Sequence, residues 1–549
     1  MRSSAAAATG IHSRWVPAIL GAAVALACGT LSATAQTPPY LANFPNFAPV
    51  LAPPFPGDVD TALKKKLEDA KQFAEVQRLF DLNGWQMFLA ANWPTNNQGQ
   101  PAASITDTSF GPPHWTLWQT SSQIYRADGK RPIACGPAPG GALLAEATAQ
   151  QPAALMRGLP LIQKPANVDP RSVLVLGNLS AVGNISIVDL GKRNGETDQA
   201  FSGPLIDQNH NFVHYDIAMD PHEVSYVCDT GIYNINGQTA FSGKNNDTLA
   251  FPIGTDKVDW SGATEIKFAW KIIDTSKGDQ PGRFFTMPAI IPAAGGGTQQ
   301  VTVGLVGMHI AHKSQSSPQW IWATFEQVDN LVGDPLAHPA IKPSFYDPNC
   351  EICVPNLDPN ATNDTTTPVQ AMRAVPIPGD KLRLNAEAQA VFRALGSVWQ
   401  YYQLIDTQWP TDPTAKPTPW NAGLPDAINN KPGGNPTPVF LTNITMETYF
   451  QTGQQAACNQ EEVTGSAACP PGNATQSNFP KTAVDTTTVF ASESCMGCHS
   501  SAGFYKTFDA KANGGVKWPQ LSGDFSWLPA QKACMVAPGS TGSHICTDN

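Results

Sequence analysis

Residues 264–270 read Thr-Glu-Ile-Lys-Phe-Ala-Trp, and in them Ile266, Phe268 and Trp270 alternate with Glu265 and Lys267. A period of two is that of a strand with one buried face, because successive side chains leave a pleated backbone on opposite sides. Working outward, Val301 to Ile310 and Trp320 to Phe325 read as two further strands, the second placing Trp320 and Trp322 on one face. Between about residue 110 and residue 345 such runs are separated by Gly, Pro, Asn and Asp, which predicts a sheet-rich domain. No internal repeat of solenoid or propeller length is present, and those architectures are set aside.

Composition narrows the class. The chain has 549 residues, 42% hydrophobic and 14% charged, and its 34 Lys+Arg against 44 Asp+Glu give a formal net charge of -10. An average soluble domain carries about 25% charged residues. So few cations on an acidic chain exclude a histone-like or nucleic-acid-coating protein. The 14 Trp and 24 Phe exclude a disordered chain, and the 49 Pro and 45 Gly argue against a bundle of long helices. The acidic balance predicts that a protein partner presents a basic docking face, with association weakening as salt rises.

The most informative string is Ser494-Cys495-Met496-Gly497-Cys498-His499, which contains Cys-x-x-Cys-His, the attachment signature of c-type haem. Two thiols three residues apart lie on one helical turn and can form thioethers to both vinyl groups of one porphyrin edge. His499 follows directly and can turn its imidazole onto the iron as proximal ligand. A zinc half-site is the competing reading, but no second matching pair lies nearby. Cys350-Glu351-Ile352-Cys353 has the same spacing but is followed by Val354, so it carries no haem. Its Pro/Asn-rich surroundings favour a structural bridge over a redox-active dithiol. The eight remaining cysteines outside the leader suit four disulfides in an oxidising compartment, with Cys458–Cys469 and Cys534–Cys546 the easiest by proximity.

Single-haem carriers usually supply a sixth iron ligand. Met535 and His544 downstream of the motif, and Met446 upstream, are the candidates, and an empty sixth position is the alternative. His309 and His312 would share a metal on a helix but face opposite ways on a strand, which is how Val301 to Ile310 reads. His214 and His222 are ambiguous. No phosphate loop, nucleophile elbow or His-Glu-x-x-His zinc helix is present.

These signals divide the chain. Residues 1–35 have the features of a cleaved signal peptide, with Arg2 and Arg14 before the apolar run Trp15 to Ala27 and a small-residue site at Ala33-Thr34-Ala35. Alternatively Ala25-Leu26-Ala27-Cys28 resembles a lipobox, with Cys28 as a lipid-modified N-terminus and membrane anchor. Either reading predicts a periplasmic or secreted protein. Residues 36–57 form a Pro-rich extended arm, and 58–345 the sheet-rich domain, opened by a helix that Asp60 caps. Residues 346–383 have the Pro/Asn/Thr composition of a linker or long loop. Residues 384–549 are expected to be a mainly helical c-type haem domain. Within it Asn385 caps a helix carrying Val391, Phe392, Leu395, Val398, Trp399 and Tyr402 until Trp409-Pro410 stops it, and Phe525, Trp527 and Leu528 cover the porphyrin. The expected class is α+β.

The strings LNGWQMFLAANWP (82–94), GLVGMHIAHK (304–313), WIWATFEQVDN (320–330) and SCMGCHS (494–500) together resemble exported bacterial cytochrome c family proteins. The resemblance implies Cys495 and Cys498 as thioether positions and His499 as proximal ligand, and it implies nothing about substrate. Three functional expectations follow. The first is a monohaem cytochrome that relays single electrons to or from a redox partner or a substrate held by the N-terminal domain. The second is a haem enzyme, peroxidase-like or oxygen-activating, with an open sixth position. The third is a secreted binding protein with structural haem.

Overall fold

The computed structural model describes residues 51–136, 169–176, 204–242, 248–257, 261–293, 297–332, 337, 338, 340–357, 366–373, 376–410, 443–450, 495, 499, 502–507, 521–536 and 544–546. The leader, with Cys28, and the first part of the Pro-rich arm lie outside these residues. Strands β1 (Gln119–Thr120), β2 (Leu174–Val175), β3 (His214–Met219), β4 (Thr264–Ile272), β5 (Thr286–Pro292), β6 (Thr298–His312), β7 (Ile321–Gln327) and β8 (Tyr402–Gln408) form one sheet. From β1 the order runs through β3 and β4 to the long β6, where the sheet forks. The first half of β6 pairs β5, which β2 joins in parallel; its second half pairs β7, which β8 joins. Every pairing except β2 with β5 is antiparallel. With its helices the molecule is of mixed α+β class.

The helices are α1 (Thr61–Asp69), α2 (Phe73–Ala91), α3 (Ser121–Ile124), α4 (Pro221–Thr230), α5 (Ile235–Ser242), α6 (Gly379–Ala394) and α7 (Leu528–Lys532). Asp60 caps α1 by accepting from the Leu63 N–H at 2.8 Å, and the left-handed Lys71 (φ 56°) separates α1 from α2. Helices α2 and α6 cover one face of the sheet. There Phe88 stacks on Phe325 at 4.3 Å, and Trp85 packs edge-on to Phe325 at 4.9 Å and against Phe392 at 6.0 Å. Burying each such side chain contributes about 1.5–3 kcal/mol. The apolar side of β4 lies in this core, with Trp115 against Phe268 at 4.4 Å. From the arm, Phe55 reaches the same layer, edge-on to His312 at 5.5 Å.

The other side of β4, carrying Glu265 and Lys267, is not a solvent face. Helices α4, α5 and α7, residues 443–450, and the small sheet of β9 (Gly503–Phe504) with β10 (Leu521–Ser522) supply a second layer over it. Beyond α7, β11 (Cys534–Val536) pairs with β12 (His544–Cys546).

The expected helix over 385–409 is corrected. It runs from Gly379 to Ala394, ends before the left-handed Gly396 (φ 65°), and gives way to a short 3-10 turn at Val398–Tyr401 and then to β8. Asn385 is not its cap but sits inside it. Its amide donates to the Leu404 carbonyl at 2.8 Å and accepts from the Leu404 N–H at 2.9 Å, as a neighbouring strand would. The described parts of 346–383 lie along the sheet domain, with the Ala371 N–H donating to Phe345 O at 2.8 Å and the Val369 N–H to Ile206 O at 3.0 Å. Strands on both sides of that stretch belong to one sheet.

Two disulfides join Cys135 to Cys228 and Cys350 to Cys353. Cys534 is also disulfide-bonded, and Cys546 is its partner in strand register. Cys458 and Cys469 lie outside the described residues. Among those residues no helix is long and apolar enough to cross a membrane.

Candidate functional site

The second layer brings Cys495 and His499 onto the sheet. Cys495 and His499 both have helical backbone and stand four residues apart in the sequence. Cys495 packs, as Trp527 does, against the apolar cluster that includes Phe525 and Leu528. Cys498 lies outside the described residues, as do Met496 and Gly497. The imidazole of His499 lies 4.3 Å from the Trp322 ring, tilted by 47°, and its Nδ1 is 2.7 Å from the Phe525 carbonyl oxygen. A carbonyl only accepts, so Nδ1 carries the proton and Nε2 keeps its lone pair. Burial, partly offset by that hydrogen bond, brings the His499 pKa down to about 4, and the ring is neutral at physiological pH.

The carbonyl that orients His499 is held by a strained turn. Asp524 and Phe525 are both left-handed (φ 54° and 70°), a conformation that branched and bulky residues adopt only when their surroundings enforce it. Here Trp320 Nε1 donates to the Asp524 carbonyl at 3.0 Å, the Phe251 N–H donates to Asp524 Oδ2 at 2.7 Å, and Lys313 pairs with the same oxygen. Trp320 itself stacks on Trp322 at 6.2 Å. The strand expected from Trp320 begins one residue later, at Ile321, because Trp320 has a left-handed backbone (φ 68°), and it is Trp322 of β7 against which His499 rests.

Beside His499 the sheet has a polar recess. Ile217, Lys267, His309 and Thr324 are in register across β3, β4, β6 and β7 and share one face. The first three are half-buried, while Tyr215, Met219, Ala311 and Trp322 around them are buried. His309 is clamped, Nε2 to Glu447 Oε1 at 2.8 Å and Nδ1 to Thr324 Oγ1 at 2.5 Å. Asn443 fixes the pair by donating from Nδ2 to Thr324 Oγ1 at 2.9 Å and from its backbone N–H to Glu447 Oε2 at 2.6 Å. Burial pushes the Glu447 carboxyl up, but the His309 and Lys267 charges and these hydrogen bonds outweigh it and hold the carboxyl below its ordinary value.

His309 and His312 leave β6 on opposite faces. His312 is enclosed on the helix-covered side, Nδ1 at 2.9 Å from Thr264 Oγ1 and Nε2 at 3.0 Å from Gly57 O. His222 bonds Asp220 Oδ2 at 2.8 Å, and His214 is buried, its pKa lowered to about 4 by that burial. Among the described residues no group of three or more His, Cys, Asp or Glu side chains is arranged to hold a metal ion. Of the three sixth-ligand candidates, Met535 is partly buried against the cluster that holds Cys495. Met446 is fully buried in a different cluster with Tyr215 and Ala269. His544 stands opposite Val536 in β12, and its side chain lies outside the described residues. Sequence reasoning missed the Phe525 carbonyl and the His309–Glu447 pair. The latter are 138 residues apart, and nothing in the sequence joins them.

No family model matches the chain, and neither a curated protein nor a solved structure matches it.

Proposed function

We propose that the chain binds one haem covalently through Cys495 and Cys498, with His499 as a ligand of its iron, and acts as an exported cytochrome c-like electron-transfer protein. The observation that carries this reading is the hydrogen bond from His499 Nδ1 to the Phe525 carbonyl, 2.7 Å, on a neutral ring whose Nε2 has no hydrogen-bond partner among the described residues. Metal-ligating histidines are held in this way, the second nitrogen donating to a carbonyl that fixes tautomer and orientation. The Cys495 side chain, four residues earlier and packed against the apolar cluster that includes Phe525 and Leu528, supports the same reading. When bound, the iron supplies a one-electron couple between ferric and ferrous states. The chain's part is to orient His499 through the Asp524-Phe525 turn, to exclude water with Trp322 and the apolar cluster, and to offer Met535 as a sixth ligand. The disulfides accord with a periplasmic or secreted location, and the acidic surface with a redox partner that has a basic face.

A second reading, a haem enzyme with an open sixth position, is favoured by the half-buried Lys267, His309 and Glu447 next to His499, which are groups able to move protons. Both readings predict an intact mass increased by one macrocycle and pigment that stays with the chain in acidified organic solvent; release of the pigment ends both. A low-spin spectrum that ignores carbon monoxide after reduction selects the carrier, and a high-spin spectrum that responds to it selects the enzyme.

A further inference from the structure

A second acidic site lies behind the recess, in the same row of the sheet as the tryptophan that supports His499. Met219, Glu265, Ala311 and Trp322 are consecutive register partners across β3, β4, β6 and β7, so Glu265 stands about 10 Å, two strand spacings, from Trp322 on the same face. Asp220 brings Glu223 to it. The Asp220 carboxylate accepts from the N–H of Glu223 and from that of Thr264, each at 3.0 Å, and so ties the first turn of α4 to the start of β4. Glu223 is fully buried, and among the described residues no basic group bears on its carboxyl. Among the described residues no hydrogen-bond donor reaches either Glu223 carboxyl oxygen or Glu265 Oε1, and Glu265, at the start of the strand that Asp220 ties to α4, is the acid whose charge bears most on Glu223.

Two carboxyl groups buried together without a cation bind a shared proton with raised affinity, so the charge of a nearby centre decides over which pH range they hold it. The groups around them do not supply the missing charge. Tyr125 presents a buried phenol from beyond α3, Asp220 is committed to His222 and the two N–H groups, and Asp524 is paired with Lys313. Lys267, two residues along β4, lies over the Tyr215 ring. Burial first, then the neighbouring acids, raises the Glu223 carboxyl well above its ordinary value, and burial raises Glu265.

We propose that Glu223 and Glu265 form a proton-binding site coupled to the iron, taking one proton from water when the haem accepts one electron from a donor protein and releasing it on reoxidation. The inference rests on the haem reading above. The ferric centre carries one more positive charge than the ferrous one. Across about 10–15 Å at an effective dielectric of about 20, losing that charge raises the proton affinity of the pair roughly six- to seventeenfold.

The test is a spectroelectrochemical titration of the mature holoprotein across pH, with redox-difference infrared spectra of the carboxylic acid carbonyl. The wild-type potential should fall with rising pH over a window of about one unit between two plateaux. A protonated-carboxyl band, sensitive to deuterium oxide, should appear on reduction. Glu265→Gln should flatten that window and abolish the band, and so should Glu223→Gln, whose amide can still donate to Glu265. A band and slope that persist unchanged in both variants, or their absence from the wild type, overturn the proposal. The wild-type spectra decide even if a variant does not fold. An intact mass without the macrocycle overturns the haem reading and this site with it; covalent haem with a pH-independent potential overturns this site alone.

Discussion

Lys381 shows what a single buried charge does in this fold. It is 2% exposed and reaches from α6 to Asp81 on α2 at 2.9 Å, Asp406 on β8 at 3.4 Å and its neighbour Asp380 at 2.6 Å. Three carboxyls share one ammonium, and two of them are buried. Burial therefore lifts Asp406 to about pH 7 even with Lys381 beside it, while the three acids hold the lysine pKa above its ordinary value. Between the ordinary carboxyl value of 3.8 and about 7 the native Asp406 binds a proton that the unfolded chain has released. Its contribution to stability is thus complete below about pH 4 and declines as pH climbs to about 7. Urea midpoints should show this decline in the wild type and less of it in Asp406→Asn. Lys381→Met leaves two buried acids without a cation and should cost about 3–5 kcal/mol at pH 8. The cost should shrink towards pH 5, where the acids protonate; a cost independent of pH would mean that lost packing, not charge, is responsible.

At the scale of elements, close approach and crosslinking hold the second layer down. Gly307 on β6 lies under the 443–450 segment, where an added Cβ would run into the Thr445 hydroxyl and touch Asn443 Oδ1 at 3.2 Å. Gly307→Ala should therefore cost about 1–3 kcal/mol by overpacking. Thr445→Ala in the same chain should recover most of it, a coupling that a double-mutant cycle on urea midpoints would read. The Cys135–Cys228 disulfide spans 93 residues and ties the chain after α3 to α4, whereas Cys350–Cys353 spans 3. Loop entropy makes the first worth about 5 kcal/mol and the second about 2. Cys135→Ser with Cys228→Ser should thus lower the chemical-denaturation free energy by about 3 kcal/mol more than the corresponding pair at 350 and 353. Elements differed in how plainly the sequence announced them. β4 was legible because one face is apolar and the other charged, yet that charged face, which alone would be taken as solvated, forms the recess. β8 was not legible because every residue from Tyr402 to Gln408 is buried. With both faces covered the alternation vanishes, and the apolar spacing of α6 runs on through it.

For the whole molecule, the Cys-x-x-Cys-His string was readable because its spacing is local to the sequence, while the recess and the acid pair exist only through register, which no local pattern encodes. The same register decides how many units the chain folds as. β7 has β6 on one edge and β8 on the other, and α6 packs Phe392 and Leu384 into the core that Trp85 and Phe88 begin. Ending the chain at residue 345 would remove β8 and α6 together. It would open the β7 edge, uncover Phe325, and leave Asp81 without Lys381. An open apolar edge invites pairing with other copies, and the lost burial exceeds what a marginally stable domain can spare. A fragment of residues 36–345 should therefore be aggregated or lack a cooperative urea transition, and a chain of residues 36–549 should lose sheet signal and tryptophan emission in one common transition. A soluble fragment that unfolds with the full chain's midpoint would show that the sheet stands without its last strand, and that residues 384–549 are a separate unit after all.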